Sequence, residues 1–173
     1  TAEMLFDAPA DLLGGLVSAG VDIATFANNH GLDQHREGIV ATRKAITAAG
    51  LLSAGADVNE EKAWQPLVVE VHGIRIGFLA FTRYLNKFHN LPDPKQPHVP
   101  LVHYDQDPET GGYDEAKLLE KVRAAAKQCE ALIVLPHWGE EYRTSPMADD
   151  RRLAAKLVAA GALAIIGHHP HVL

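Results

Sequence analysis

The sequence predicts an α/β fold, in which a partly parallel sheet carries helices on its faces. Three observations support this prediction. Helix-like and strand-like stretches alternate along the 173 residues. The strand-like stretches are short, apolar and often β-branched, which is typical of buried strands. The helix-like stretches have apolar residues at helical spacing, and most end at a glycine. Alternation of this kind favours strands joined by crossover helices.

In the first half of the chain, the pattern predicts a helix, a strand, a helix and a hairpin. The helix at 9–20 has an early proline and a terminal glycine, and the strand at 21–27 is the run VDIATFA. A second helix covers 36–50. Two strands within 66–81 flank a tight turn at His72-Gly73.

In the second half, a proline-rich loop precedes a further alternation of helices and strands. Five prolines interrupt residues 82–112, and we expect residues 84–112 to border the functional cleft and to help select the substrate. An amphipathic helix at 113–129, a strand at 131–136, a helix at 145–161 and a strand at 162–167 follow.

Composition restricts the class of protein. The net charge of −6 and the pI of about 5.9 argue against a general nucleic-acid binder. Cys129 is the only cysteine, so neither an intramolecular disulfide nor a cysteine-rich zinc site is possible. No stretch resembles a membrane span or a signal peptide. The ten histidines are more informative than the charge.

Polar clusters follow three of the predicted strands. Asn28, Asn29 and His30 follow the first, and His137 and Trp138 follow the strand at 131–136. The last strand leads into GHHPH. Ligands of open α/β sheets bind beyond the carboxyl ends of the strands. If the three strands are parallel neighbours, one cleft receives all three clusters.

The GHHPH turn favours a metal site, because neutral imidazole is a good metal ligand and crowded imidazolium ions repel one another. Pro170 favours an extended His169. Residues two apart in an extended segment share a side, so His169 and His171 are predicted to face one centre while His168 points elsewhere.

Each cluster also has a structural interpretation. The asparagines can form a simple loop, His137 can be a hydrogen-bonded core residue, and Glu140 and Glu141 can be solvated. Asp33 can cap the following helix or hold His30 through a hydrogen bond. The joint occurrence at three strand ends favours the functional interpretation.

Three segments, FANNHGLDQHREGIVATRKAITAAGLLSAGA, VLPHWGEEY and LAAKLVAAGALAIIGHHPHVL, occur in an order that resembles the poly-γ-glutamate capsule synthesis protein CapA family. That family belongs to the calcineurin-like metallophosphatase superfamily. The resemblance implies a four-layer α/β/β/α sandwich. We expect residues 1–173 to form a single CapA-like domain that is incomplete at both ends, with the superfamily's early acidic motifs upstream.

The resemblance also implies roles for individual residues. His30 corresponds to the catalytic histidine. The expected ligands of one or two divalent ions, with Mn, Zn or Fe as the expected metals, are Asn29, His137, His169 and His171. Residues expected to support these ligands or to contact substrate are Asn28, Asp33, Trp138, Glu141 and His168.

The implied function is capsule or poly-γ-glutamate biosynthesis with a metal-dependent hydrolase-type site. Substrates are phosphoesters or peptide and γ-glutamyl amides, and fold analogy does not choose between them. Two alternatives are a metal-dependent peptide epimerase and a non-catalytic accessory protein that binds an anionic polymer or a capsule synthase. The resemblance points to the cell envelope or extracellular face, although the sequence leaves the compartment open, the cytoplasm included.

Overall fold

The computed structural model describes residues 4–103 and 114–172, and they form a mixed α/β domain with two sheets. The helices are α1 (Leu12–Ser18), α2 (His35–Ala48), α3 (Glu60–Ala63), α4 (Glu115–Ala126) and α5 (Ala148–Ala159). The strands are β1 (Ile23–Phe26), β2 (Leu52–Gly55), β3 (Leu67–Val71), β4 (Ile74–Thr82), β5 (Ala131–His137) and β6 (Ala164–Ile165).

The larger sheet has the order β3-β4-β5-β6. The β3–β4 hairpin is antiparallel, whereas β4, β5 and β6 run parallel. The hairpin turns at His72 and Gly73, with φ angles of 52° and 81°. Two consecutive positive φ values match the twist of a two-residue hairpin turn, so the predicted hairpin is confirmed.

The smaller sheet consists of β1 and β2, which pair in parallel. Strand β2 was not expected from the sequence, whereas β1 was expected as a possible neighbour of β5 and β6. That neighbour relation is wrong, because β1 belongs to a different sheet. Alternating burial along a strand shows that one face is covered, but it does not say which sheet the strand joins.

Two hydrophobic clusters give the order of the layers. Alternate residues of β4 and β5 point to opposite faces of their sheet. One face packs against α4 and α5, and the other meets the β1–β2 sheet and Ile39 of α2. The first cluster includes Leu79, Phe81, Leu132, Val134, Leu118, Val122, Leu153 and Leu157. The second includes Ala27, Ile39, Ala54, Ala80 and Leu135, with Phe78 and Ile133 against it. The layers are therefore helix, sheet, sheet and helix.

Several predicted elements are shorter than expected, and α1 and β6 show how the chain continues beyond their ends. Before α1, the amides of Leu12 and Leu13 donate to the carbonyls of Pro9 and Ala10, so a tighter turn precedes the regular helix. Strand β6 has two residues, yet its flanks still pair with β5: Leu163 N donates to Leu132 O, and His168 N donates to Pro136 O. The sheet edge thus extends to the histidine turn.

The described part of the proline-rich loop is anchored to the domain. The Asn90 side chain accepts from Val99 N at 2.9 Å and donates to Val99 O at 2.8 Å. Asp57 and His98 exchange both backbone hydrogen bonds. The loop therefore has a fixed path past the strand ends. Residues 104–112, where the prediction of a cleft-bordering loop continues, lie outside the described residues.

Candidate metal and catalytic site

A tight turn after β1 presents Asn29 and His30. The Asn28 side-chain oxygen accepts from His30 N at 3.0 Å, and Asn28 O accepts from Gly31 N at 3.1 Å. Asn29 is 7% exposed, and its carbonyl accepts from Asn86 N of the loop after β4. Asn28 thus shapes the turn, as its structural interpretation predicts, and its expected role beside the ligands or substrate stays a prediction.

His137 ends β5 and connects the turn after β1 with the turn after β6. Its Nε2 lies 2.8 Å from Asn29 Oδ1, and its Nδ1 lies 2.6 Å from His168 Nδ1. The ring centroids of His137 and His169 are 4.7 Å apart, and those of His169 and His171 are 5.7 Å apart. The structure therefore brings together all four residues expected to bind metal, even though β1 lies in the other sheet.

The hydrogen bonds around His137 have assigned donors and acceptors. Asn29 Oδ1 can only accept, so His137 Nε2 donates to it. A neutral His137 then accepts at Nδ1, and His168 Nδ1 is the donor. At the other end, Asn29 Nδ2 donates to Asn86 Oδ1 at 3.0 Å. His168 thereby contacts an expected ligand rather than the other two histidines of its turn.

Asn86 is a site residue that sequence reasoning missed. Besides its contact with Asn29, its Nδ2 lies 3.4 Å from both ring nitrogens of His30. Asn86 therefore touches the expected catalytic histidine and an expected ligand at once. The only signal in the sequence was its position in a loop already expected to border the cleft.

Asp33 holds His30. Its Oδ2 lies 2.7 Å from His30 Nδ1 and also accepts from Phe6 N at 2.8 Å. The residue preceding α2 is Gln34, so the alternative in which Asp33 caps this helix is wrong. A buried carboxylate on one ring nitrogen fixes the orientation of the imidazole.

Three histidines beyond β5 and β6, which are His137, His168 and His169, are held in their neutral forms. Burial, together with the charges of His168, His30 and His171, lowers the pKa of His137 to about 3. Burial lowers the pKa of His168, and burial with the charges of His171 and His30 lowers that of His169. Neutral imidazoles at pH 7 are in the form that coordinates a metal.

The histidine turn departs from the extended conformation that Pro170 predicts. The φ angles of His169 and His171 are 111° and 60°, and such values are rare for residues other than glycine. His169 and His171 nevertheless lie on the same side of the turn, so the expected grouping holds while its proposed backbone reason is wrong. Strained backbone of this kind is typical of functional sites.

Aromatic groups pack around the histidines. The Tyr84 ring contacts His169 edge-on, with centroids 4.9 Å apart. Trp138 N donates to His168 O, and the Trp138 ring contacts Phe81 edge-on. A Cβ added at Gly167 would lie 2.5 Å from Trp138 Nε1, so only glycine fits there. Trp138 therefore supports the turn, and its expected contact with ligands or substrate stays a prediction.

A cleft of about 580 Å³ opens beside His30. Its walls come from the segment before α1, from α1 and from α2, and Asn28, His30 and Asp33 lie at one end of it. Apolar walls with a few polar groups at one end are typical of ligand-binding clefts. His30 thus lies between this cleft and the cluster around His137.

The donors present fit a divalent metal ion. Glu141, His169 and His171 each offer a ligand atom, and the three atoms lie within 4.8 Å of one another. Among residues 4–103 and 114–172, the buried Nδ1 of His169 has no hydrogen-bond partner. A buried imidazole nitrogen without a hydrogen-bond partner destabilises the folded protein unless another group, such as a metal ion, binds it. Mixed nitrogen and oxygen donors suit Mn, Fe or Zn.

The two packed sheets, with the site at their carboxyl ends, are consistent with part of a metallophosphatase-like α/β domain. Residues 1–173 match the model of the family described as "Bacterial capsule synthesis protein PGA_cap". The chain belongs to this family, the CapA capsule synthesis family.

Two curated relatives agree with this assignment. The chain is 30% identical over 159 residues to "Capsule biosynthesis protein CapA" of Bacillus anthracis, which covers 90% of this chain and 36% of that protein. It is 30% identical over 148 residues to "PGA biosynthesis protein CapA" of Bacillus subtilis (strain 168), which covers 85% of this chain and 36% of that protein. The chain thus spans about a third of the length of these relatives.

Proposed function

We propose that this chain carries a metal-dependent hydrolase site that acts on phosphoester or peptide and γ-glutamyl amide bonds during capsule biosynthesis. The observation that carries the proposal is the convergence of Asn29, His137 and His169, from three separate strand ends, beside the His30–Asp33 pair. If these buried polar groups had only a structural role, the fold would not need a histidine that is held by a carboxylate and lies at the end of a cleft.

The chemistry divides between the ligands and His30. Asn29, His137, His169 and His171 would hold one or two divalent ions. A metal bound there supplies Lewis-acid chemistry, which activates water or polarises a substrate oxygen. His30 donates a proton from Nε2 to the leaving group, because Asp33 engages Nδ1. The cleft beside His30 receives the leaving portion of the substrate.

An anionic polymer is the substrate we favour, as the names of the curated relatives refer to capsule and PGA biosynthesis. The chain itself carries a net charge of −6, so long-range attraction does not draw a polyanion to it. Recognition must therefore be local, through the metal centre and its neighbouring donors. A capsule synthase is the partner we propose for the assembled system.

The test is hydrolysis of bis(p-nitrophenyl) phosphate and of γ-glutamyl p-nitroanilide by the full-length protein, with and without added Mn²⁺ or Zn²⁺. We expect metal-dependent turnover of one of the two. His30→Gln should lower kcat by about 10²–10⁴-fold while metal content stays the same. His72→Gln, in the exposed hairpin turn, is the matched control and should leave kcat unchanged.

Two results would contradict the proposal. One is an absence of metal-dependent turnover on both substrates. The other is full activity in the His30→Gln variant. Exchange of a peptide α-proton with D₂O without hydrolysis would assign the same residues to an epimerase instead.

A further inference from the structure

The segment after β5 runs alongside the histidine turn. Trp138 N donates to His168 O at 3.1 Å, and Tyr142 N donates to Pro170 O at 2.7 Å. The Tyr142 ring stacks on His171 with centroids 5.8 Å apart and an interplanar angle of 29°. These contacts at both ends of the segment fix where Glu141 lies, which is directly beside His171.

The Glu141 carboxylate lies near two imidazoles. Glu141 Oε1 is 4.0 Å from His171 Nε2, and one ligand atom each of Glu141, His169 and His171 lies within 4.8 Å of the others. Ligand atoms about 2.0–2.2 Å from a shared ion lie at most roughly 4.4 Å apart. The group therefore needs only a small contraction to share an ion.

The three residues differ in exposure. The side chains of Glu141 and His171 are 51% and 59% exposed, whereas His169 is 9% exposed. His169 is held in place by the surrounding side chains, including Tyr84. Two exposed donors thus lie beside a buried third donor. The partnerless buried Nδ1 of His169 independently indicates that this position is built for a ligand.

We propose that Glu141 is a metal ligand and completes a three-ligand position with His169 and His171. Two imidazoles and one carboxylate are a common donor set for zinc, and they also suit Mn and Fe. The inference rests on the proposed function, since it concerns the same metal centre. It goes beyond the expected ligand set, in which Glu141 only supports the ligands or contacts substrate.

Glu140 provides a matched control. It adjoins Glu141 and has the same charge, but its Oε2 pairs with Arg143 NH1 at 2.7 Å. Its side chain is 61% exposed, and it is not among the residues whose ligand atoms cluster with His169. A general effect of removing negative charge near the turn would appear equally in Glu140→Gln and Glu141→Gln.

The experiment measures Zn²⁺ affinity by competition with a chromophoric chelator at pH 7.5, in the wild type, Glu141→Gln, Glu140→Gln and His169→Ala. Circular dichroism verifies that each variant is folded. We expect Glu141→Gln to weaken binding by more than about 100-fold, which exceeds the 10–100-fold loss typical of residues that only support a ligand. Glu140→Gln should stay within about threefold of the wild type. The absorption bands of bound Co²⁺ should change in Glu141→Gln and remain the same in Glu140→Gln.

The outcomes separate this inference from the proposed function. If the wild type binds Zn²⁺ through His169 but Glu141→Gln loses less than 100-fold, the assignment of Glu141 is overturned and the proposed function stands. Equal losses in both glutamate variants would overturn it as well. If the wild type binds no metal, or binds it equally well in His169→Ala, both proposals fail.

Discussion

At the scale of single residues, Asn29 joins the parts of the site. Its amide oxygen faces His137, its amide nitrogen faces Asn86, and its backbone carbonyl accepts from Asn86 N. An amide is useful here because one side donates and the other accepts, so its orientation is fixed by its two neighbours. The orientation of Asn29 therefore depends on Asn86.

We predict that Asn86→Ala weakens metal binding by about 10–100-fold, the usual effect of losing a residue that orients a ligand. Asn86→Asp keeps an oxygen that accepts from Asn29 Nδ2, so it should retain most of the affinity. Lys87→Ala, at the exposed neighbouring position, is the control. Chelator competition gives the affinities. A loss of thermal stability in Asn86→Ala with unchanged metal affinity would show that Asn86 has only a structural role.

Single residues also show where sequence reasoning succeeded and where it did not. The sequence predicted that three side chains would lie near one another, namely those of His137, His169 and Asn29. Each lies at or just after the end of a strand, and strand ends are visible in the sequence as the ends of apolar runs. The position of Asn86 in the site could not be predicted, because the proline-rich loop has no periodicity. Which of its side chains reaches the site depends on tertiary contacts, such as the pairing of Asn90 with Val99.

At the scale of elements, the same distinction explains the fold. Strand β5 is a continuous apolar run and was predicted almost to the residue, because burial on both faces determines its composition. Strand β2 was missed because its sequence, LSAG, has low strand propensity. It forms by pairing with β1 and by packing Ala54 between the sheets, which are tertiary effects. That β1 belongs to the smaller sheet could not be predicted either, because its pairing with β2 is also a tertiary effect.

Helices α4 and α5 are joined at the surface by an ion-pair cluster. Both Glu115 carboxylate oxygens accept from Arg152, and one also pairs with Lys156. The hydrogen bond from Arg152, aided by Lys156, lowers the pKa of Glu115 from 4.5 to about 2. Arg152 and Lys156 are 47% and 42% exposed, so solvent screening keeps the stabilisation modest.

We predict that Glu115→Gln lowers the free energy of unfolding by about 1 kcal/mol at pH 7. Because the folded pKa lies below the unfolded one, this stabilisation is complete above pH 4.5 and is lost as the pH falls towards 2. The difference between wild type and variant in urea titrations should therefore shrink over that window. Glu120→Gln, at an exposed position of the same helix, should have little effect at any pH. A pH-independent difference would contradict the account.

At the scale of the whole molecule, the sandwich explains how distant segments form one site. The carboxyl ends of β1, β5 and β6 meet although they belong to two sheets, because the sheets pack face to face through Ala80, Ala54 and Leu135. Small residues at this interface keep the sheets close. Among the described residues, no helix is long and apolar enough to cross a membrane.

The most direct test of the central claim, that these strand ends form a metal centre, is an anomalous difference map from crystals grown with Zn²⁺ or Mn²⁺. We predict a peak about 2.0–2.2 Å from nitrogens of His169 and His171, with Asn29 Oδ1 and His137 Nε2 facing the same centre. A bound metal located elsewhere on the chain, with the direct contact between His137 and Asn29 retained, would contradict the account.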